Sequence, residues 1–155
     1  MASIISSSTN YSVYALPLYY LLGILPHGVA IIIASGGNPG KWDNRNPRAA
    51  GLKANLTKRL GPAKFARYER AESAHYNTLE SFPLLATAVI LANLAHLPTE
   101  QLNTFVAGNF ILRSVYLVAY ISTSSQLPTV LRTLIWYIQI GWILRITWQA
   151  AAFFA

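Results

Sequence analysis

The stretch ERAESAHYNTLESFPLLATAVILA, residues 69–92, begins with charged residues and ends in an apolar run typical of a bilayer interior. Its polar chemistry continues as far as Glu80, well into the segment that should meet lipid. At 100° per residue, Arg70, Ser73, Asn77 and Glu80 fall within about 80° of one helix face. The stretch therefore predicts a membrane helix with a polar stripe along one side.

The whole chain shares this apolar character. Of its 155 residues 54% are hydrophobic and only 11% are charged, a balance unlike that of soluble domains. Four stretches are long enough to cross a hydrocarbon core of about 30 Å, which takes about 20 helical residues. We expect an all-α integral membrane four-helix bundle, one domain over residues 1–155, with helices at about 13–34, 72–96, 102–121 and 129–153.

Two kinds of residue are absent where they would be informative: basic residues before the first apolar stretch, and cysteine anywhere in the chain. The segment before the first apolar stretch has no Lys or Arg, and the stretch is longer than a signal-peptide core, so we expect a retained helix. The chain has no cysteine, which excludes disulfides, thiolate metal sites and a protein thiol nucleophile.

Positive charge is concentrated between the first two apolar stretches. Because basic loops stay on the cytoplasmic side, we expect the loop 35–69 in the cytosol and both termini on the opposite side. This loop is broken by glycine and proline and is tethered at the membrane, so we expect it to bind anionic headgroups rather than nucleic acid. Nine of the twelve Lys and Arg residues lie in this region: Lys41, Arg45, Arg48, Lys53, Lys58, Arg59, Lys64, Arg67 and Arg70.

The third apolar stretch carries a second polar stripe, formed by Arg113, Tyr116 and Tyr120. An ionisable group inside a membrane normally faces a partner or a water-filled cavity, so Glu80 needs a cation or a ligand. We predict that Glu80 pairs with Arg113. The alternative is that Asn77, Glu80 and Arg113 only hold helices together.

Other notable side chains lie outside the stripe. His75 projects about 140° away from Arg70 and has no second ligand at a metal-binding spacing, so we expect no metal site. Pro83 should kink the helix one turn beyond Glu80 and open space beside it. Tyr11, Tyr14, Tyr19 and Trp148 are typical of an interfacial aromatic belt.

The pattern RAESAHYNTLESFPL at 70–84, followed by LRSVYLVAY at 112–120 and LRTLIWYIQIGW at 131–142, resembles the MAPEG superfamily, membrane-associated proteins of eicosanoid and glutathione metabolism. Its most specific parts are Asn77-x-x-Glu80-x-x-Pro83 and the pair Tyr116 and Tyr120. The chain is most similar to microsomal glutathione transferases and their divergent bacterial and fungal branch. The resemblance implies a homotrimer that binds glutathione between subunits near the cytosolic face.

The resemblance also assigns roles to residues. Arg132 matches the arginine that stabilises the glutathione thiolate, and with Tyr120 and Glu80 it forms the expected catalytic set. Ser73 departs from the pattern, because glutathione-binding members commonly have arginine there; Arg70, one turn earlier, could substitute. The expected cofactor-binding residues are Arg70, Ser73, Asn77, Glu80, Arg113, Tyr116 and Tyr120.

Three functions follow from these features. The first is a glutathione-dependent transferase or peroxidase that acts on a lipophilic electrophile. The second is a glutathione-independent isomerase or cyclase in which Glu80 and a tyrosine transfer a proton, and the third is a non-catalytic lipid-binding protein.

The expected partners are further copies of the chain, membrane lipid and a lipophilic substrate, without nucleic acid. The expected location is the endoplasmic reticulum or another intracellular membrane in a eukaryote, or the inner membrane in a bacterium.

Overall fold

The computed structural model describes residues 9–47 and 49–155. Across these ranges the chain is helical and contains no strand. A short 3₁₀ turn, Pro39–Lys41, lies between the first two helices. The α-helices are α1 (Ala15–Ala34), α2 (Leu52–Leu60), α3 (Pro62–Leu94), α4 (Thr99–Ser122) and α5 (Gln126–Phe154).

Three of the helices are long and apolar enough to cross a membrane, namely α1, α3 and α4. The fourth long helix, α5, has 29 residues, which at 1.5 Å per residue gives about 44 Å. Its apolar face is interrupted by Arg132, Gln139, Arg145 and Gln149. The prediction of an all-α membrane bundle is confirmed, whereas a crossing by α5 stays a prediction.

The third helix begins earlier than its apolar run. Pro62 starts α3 because a proline at the first helical position sacrifices no hydrogen bond, and Gly61, at φ 73°, separates it from α2. At 33 residues α3 is about 50 Å long, so part of it stands outside a core of about 30 Å. Hydropathy predicted a start at 72 because it detects only the part suited to lipid.

Two arginines of the basic region close one end of the bundle. Arg59 donates from Nη2 to the carbonyl of Ala34 at the end of α1. Arg70 donates from Nε to the carbonyl of Ile121 near the end of α4, at 3.3 Å. The last carbonyls of a helix lack intrahelical partners and carry the negative end of its dipole, so cations suit them. We call this the basic end of the bundle.

Small residues form much of the contact between α1 and α3. A methyl group added at Gly23 would lie 3.0 Å from the Thr78 methyl carbon, so the two helices approach closely there. Large apolar side chains point outward instead, as Leu25 and Ile111 do at 62% exposure each. This arrangement suits a lipid-facing surface, because lipid tails provide no hydrophobic drive for large side chains to pack inside.

Amide side chains tie the N-terminal segment to the opposite end. The Asn10 amide donates to Asn93 Oδ1 at 2.6 Å, and the Tyr11 backbone N–H donates to Asn103 Oδ1 at 2.8 Å. Ser12, fully buried, donates its hydroxyl to Asn10 Oδ1 at 2.6 Å. We call this the amide end.

Candidate functional site

A cavity of about 560 Å³ opens between α3, α4 and α5 towards the basic end. Its volume falls in the range of about 300–1,000 Å³ found for small-molecule sites. We call it the stripe cavity, because both predicted polar stripes border it. Its walls are Asn77, Glu80, Ser81, Leu84, Tyr116, Tyr120, Arg132, Thr133, Trp136 and Ile140.

Helical spacing explains how five predicted residues meet here. Asn77 and Glu80 lie one turn apart on α3, Tyr116 and Tyr120 lie one turn apart on α4, and Arg132 lies in the second turn of α5. The Asn77 amide donates to the Tyr116 hydroxyl at 3.3 Å. The Arg132 guanidinium carbon stands 4.0 Å from the centroid of the Tyr120 ring. Residues far apart in sequence therefore border one polar space.

A second cavity of about 420 Å³ lies beside the first and shares Tyr120 and Arg132 with it. Arg70 and Ser73 of α3 line it, and we call it the end cavity. The predicted stripe on α3 thus borders two adjoining spaces, with Arg70 and Ser73 nearer the basic end than Asn77 and Glu80.

The prediction that Glu80 pairs with Arg113 is wrong within this chain. Arg113 is fully buried and donates from Nε to the Tyr19 hydroxyl at 2.7 Å and from Nη2 to the Ser81 hydroxyl at 2.8 Å. Glu80 is exposed, because consecutive helical residues point about 100° apart and Ser81 is the one that faces the bundle.

Arg113 therefore lies behind the wall of the stripe cavity and does not border it. Its guanidinium carbon stands 4.8 Å from the Tyr116 ring centroid. Direct contact with a cofactor, as predicted for Arg113, would need the wall formed by Ser81 and Tyr116 to move.

Tyr19 also differs from expectation. Only 2% of it is exposed, and its hydroxyl accepts the hydrogen bond from Arg113. The prediction that Tyr19 belongs to the interfacial belt is therefore wrong, because its hydroxyl binds a buried cation inside the bundle. Tyr14 and Trp148 are exposed, at 69% and 81%.

Beneath the stripe cavity lies a buried polar cluster, of which the sequence analysis named only Arg113. Asn109, Arg113 and Gln139 are fully buried, and the Gln139 side-chain amide donates to the backbone carbonyl of Asn109 at 3.0 Å. Arg113 Nη1, Asn109 Oδ1 and Gln139 Oε1 find no hydrogen-bond partner in the part of the chain that the structure describes. Asn109 stands one turn before Arg113 on α4, and that spacing was the available signal.

The structure brings together no candidate metal centre within residues 9–47 and 49–155. No group of three or more His, Cys, Asp or Glu side chains in these ranges could hold a metal ion.

A bundle of apolar helices with a polar cavity near one end defines an integral membrane protein with an internal polar site. The chain belongs to the MAPEG family, whose model matches residues 14–152. This confirms the family predicted from the motifs on α3, α4 and α5, and members are generally transferases or isomerases of glutathione and eicosanoid metabolism. A search of curated proteins found no match, and a search of solved structures found none either.

Proposed function

We propose that this protein is a membrane-bound glutathione-dependent transferase or peroxidase that acts on a lipophilic electrophile. One observation carries the proposal: the stripe cavity unites Asn77, Glu80, Tyr116, Tyr120 and Arg132 from three helices. These are the residues that match the glutathione-binding motif of the family.

The polar side chains of the two adjoining cavities fit the chemistry of glutathione, which has two carboxylates, an ammonium, two amides and a thiol. The guanidiniums of Arg70 and Arg132 suit carboxylate or thiolate groups, and the carboxylate of Glu80 suits the ammonium. Asn77 can both donate to and accept from an amide. Ser73 lacks the usual arginine, but Arg70 lines the adjoining end cavity on the same helix face.

Bound glutathione would supply a thiol which, once ionised, attacks an electrophilic carbon or a peroxide oxygen. A thiol has an unperturbed pKa of about 8.5, so a neighbouring cation is needed to favour the thiolate at neutral pH. Arg132, half-buried above the Tyr120 ring, is suited to this role. The ring holds the guanidinium by a cation–π contact, and the Tyr120 hydroxyl can donate a hydrogen bond to a leaving group.

Apolar walls support a lipophilic second substrate. Leu84, Trp136 and Ile140 complete the stripe cavity on the side that continues into the membrane-embedded part of the bundle. A hydrophobic molecule held there would lie next to the polar residues, which favours reaction by proximity.

A second candidate is a glutathione-independent isomerase or cyclase. It is favoured by Glu80, which is exposed at the cavity and has no ion-pair partner within the described ranges. A carboxylate of this kind can accept a substrate proton while Tyr120 donates another. Ser73, in place of arginine, agrees with this alternative.

We also propose a homotrimer in an intracellular membrane of a eukaryote or the inner membrane of a bacterium. Family resemblance supports the trimer, as does the large outward-facing apolar surface that copies of the chain could share with lipid. Native mass measurement in several mild detergents tests it, and a monomer or dimer in all of them would contradict it.

The decisive experiment is a calorimetric titration of the detergent-purified protein with glutathione, combined with conjugation to chlorodinitrobenzene. We expect saturable binding in the millimolar range or tighter and protein-dependent conjugation. Absence of binding at millimolar glutathione would remove the thiol mechanism and leave proton transfer by Glu80 as the leading function.

A further inference from the structure

Two histidines and a glutamate meet on the other side of α3, away from the stripe cavity. His27 of α1 and His75 of α3 stack with their ring centroids 5.2 Å apart and their planes at 30°. His27 Nδ1 lies 2.8 Å from Glu72 Oε1, and His75 Nδ1 lies 2.8 Å from the carbonyl oxygen of Gly23. The close packing of α1 at Gly23 brings these groups together.

These contacts determine which ring nitrogen is available. A carbonyl oxygen only accepts, so His75 Nδ1 carries a proton in this contact, and in the neutral imidazole Nε2 then carries the lone pair. A carboxylate beside His27 Nδ1 favours the same tautomer and makes Nε2 a better acceptor. Both imidazoles therefore use Nδ1 within the protein and keep Nε2 for another group.

Both histidines line a cavity of about 580 Å³, which we call the histidine cavity. Trp42 and Asn44 from the loop after α1, together with Tyr68 and Tyr76 of α3, form other parts of its wall. None of its lining residues borders the stripe cavity, whereas Glu69 and Ser73 also line the end cavity. Its size lies within the range of small-molecule sites.

The walls indicate the class of ligand. The two carboxylates of the wall already have partners: Glu72 accepts from His27 Nδ1 at 2.8 Å, and Glu69 lies 3.5 Å from the Lys53 ammonium. The polar groups of the wall that remain include the two imidazole acceptors and the buried Trp42 Nε1–H, which has no hydrogen-bond partner within the described residues, beside three aromatic rings. A flat ring with a hydroxyl group suits this combination, because the ring packs on aromatic walls while the hydroxyl donates to nitrogen.

The depth of the cavity agrees with an amphiphilic ligand. His27 lies seven residues before the end of α1, which places it about 10 Å from the basic end of that helix. A molecule that reaches this level from the lipid headgroups needs both an apolar body and a polar group.

We propose that the histidine cavity is a second binding site, for a phenolic amphiphile whose hydroxyl donates to Nε2 of His27 or His75. Glu72 is a positioning residue, since it acts through His27. This proposal does not rest on the glutathione function proposed above.

Asparagine variants remove the nitrogen that would bind the ligand while they keep the hydrogen bond that each histidine makes within the protein. The amide nitrogen of Asn stands close to where the imidazole Nδ1 stood, so His27→Asn and His75→Asn keep the bonds to Glu72 and Gly23 but remove Nε2. His96→Asn is the matched control, because His96 lies exposed in the turn before α4 at φ 52°, which Asn tolerates. The probe is para-nitrophenol, whose absorption spectrum also reports proton loss, measured by equilibrium dialysis of the purified protein.

We expect saturable binding of about one phenol per chain to the wild type and to His96→Asn. Each of the two cavity variants should bind about tenfold more weakly or worse, the equivalent of one lost hydrogen bond, with an unchanged glutathione titration. Two results would overturn the proposal: wild-type binding no stronger than that of a variant that combines His27→Asn with His75→Asn, or single variants that bind like the wild type.

A second measurement covers the possibility that the variants do not fold. An azidophenol photolabel on the wild-type protein, located by mass spectrometry, should modify residues that line the histidine cavity, such as Tyr68 or Tyr76. Labelling found only elsewhere in the chain would contradict the site.

Discussion

At the residue scale, two arginines flank a pair of tyrosines in a series that runs behind and across the stripe cavity. Arg113 stands 4.8 Å from the Tyr116 ring, the rings of Tyr116 and Tyr120 are 5.5 Å apart, and Arg132 stands 4.0 Å from the Tyr120 ring. Each cation–π contact contributes about 0.5–2 kcal/mol, depending on desolvation. Within the described residues, neither guanidinium has a carboxylate at ion-pair distance, so the series holds two positive charges near the cavity.

Replacing Arg132 should affect turnover more than binding. We expect Arg132→Ala to lower kcat by roughly 10²-fold, the typical effect of removing one group that stabilises developing charge, with little change in the glutathione Kd. Steady-state kinetics and calorimetry measure the two separately. The control is Arg145→Ala on the same helix, because Arg145 lines a different cavity with Glu100 and Gln149 towards the amide end. Equal losses of kcat in both variants would contradict a role specific to Arg132.

Asn77 should behave in the opposite way. Because its amide contacts Tyr116 and faces the cavity, Asn77→Ala should weaken glutathione binding about tenfold, the equivalent of one hydrogen bond of about 1.4 kcal/mol. The kcat at saturating glutathione should change little. A variant with wild-type Kd would show that Asn77 does not touch the cofactor.

The Tyr19 hydroxyl should contribute to stability through Arg113. Tyr19→Phe leaves the Nε–H group of a fully buried guanidinium without its acceptor, so we expect a loss of about 1–3 kcal/mol. Tyr20→Phe is the control, since Tyr20 is 45% exposed and keeps its edge contact with Phe82. Thermal unfolding in one detergent compares them, and identical melting temperatures would contradict the assigned hydrogen bond.

At the element scale, α3 organises the molecule because it carries chemistry on two faces. One face presents Asn77 and Glu80 to the stripe cavity, and another presents Glu72 and His75 to the histidine cavity. Small residues such as Ala71 and Ala74, fully buried between these faces, let neighbouring helices approach closely. One helix can therefore border two separate cavities.

Close packing between α4 and α5 can be tested with glycines. A Cβ atom at Gly108 would overlap the ring of Trp142, which also contacts Phe105 edge to face at 5.7 Å. Gly108→Ala should therefore destabilise the protein by about 1–3 kcal/mol. Gly141→Ala, next to Trp142 but with nothing within 4 Å of its Cβ, should be neutral or stabilise the helix by up to about 1 kcal/mol. Equal melting temperatures for the two variants would show that the helices pack less closely here.

At the scale of the whole molecule, charge and apolar surface define an orientation in the membrane. The basic end contains Arg59 and Arg70 as helix caps, whereas the amide end is closed by neutral side chains such as Asn93 and Asn103. From the positive-inside rule we predict that the basic end lies in the cytosol. Both the stripe cavity and the histidine cavity would lie nearer that side.

The absence of native cysteine makes this orientation easy to test. In sealed vesicles with the cytosolic face outward, Lys58→Cys on α2 should react with an impermeant maleimide. Glu100→Cys, at the start of α4, should react only after detergent is added. Both residues are exposed on the protein, so only the membrane limits their access to the maleimide. Labelling of Glu100→Cys before detergent, and of Lys58→Cys only after it, would contradict the predicted topology.

The sequence by itself determined the class of protein and predicted five of the ten residues that line the stripe cavity. Hydropathy is summed locally, and the spacings of Asn77 and Glu80 and of Tyr116 and Tyr120 are helical spacings, so membrane helices, polar stripes and family could be predicted. Only the tertiary structure decided which faces of different helices meet. It paired Arg113 with Tyr19 and Ser81 rather than with Glu80, and it joined His27 to Glu72 and His75. The physical reason is that such contacts depend on the rotation and close approach of packed helices, at positions such as Gly23 and Gly108, which local sequence patterns do not encode.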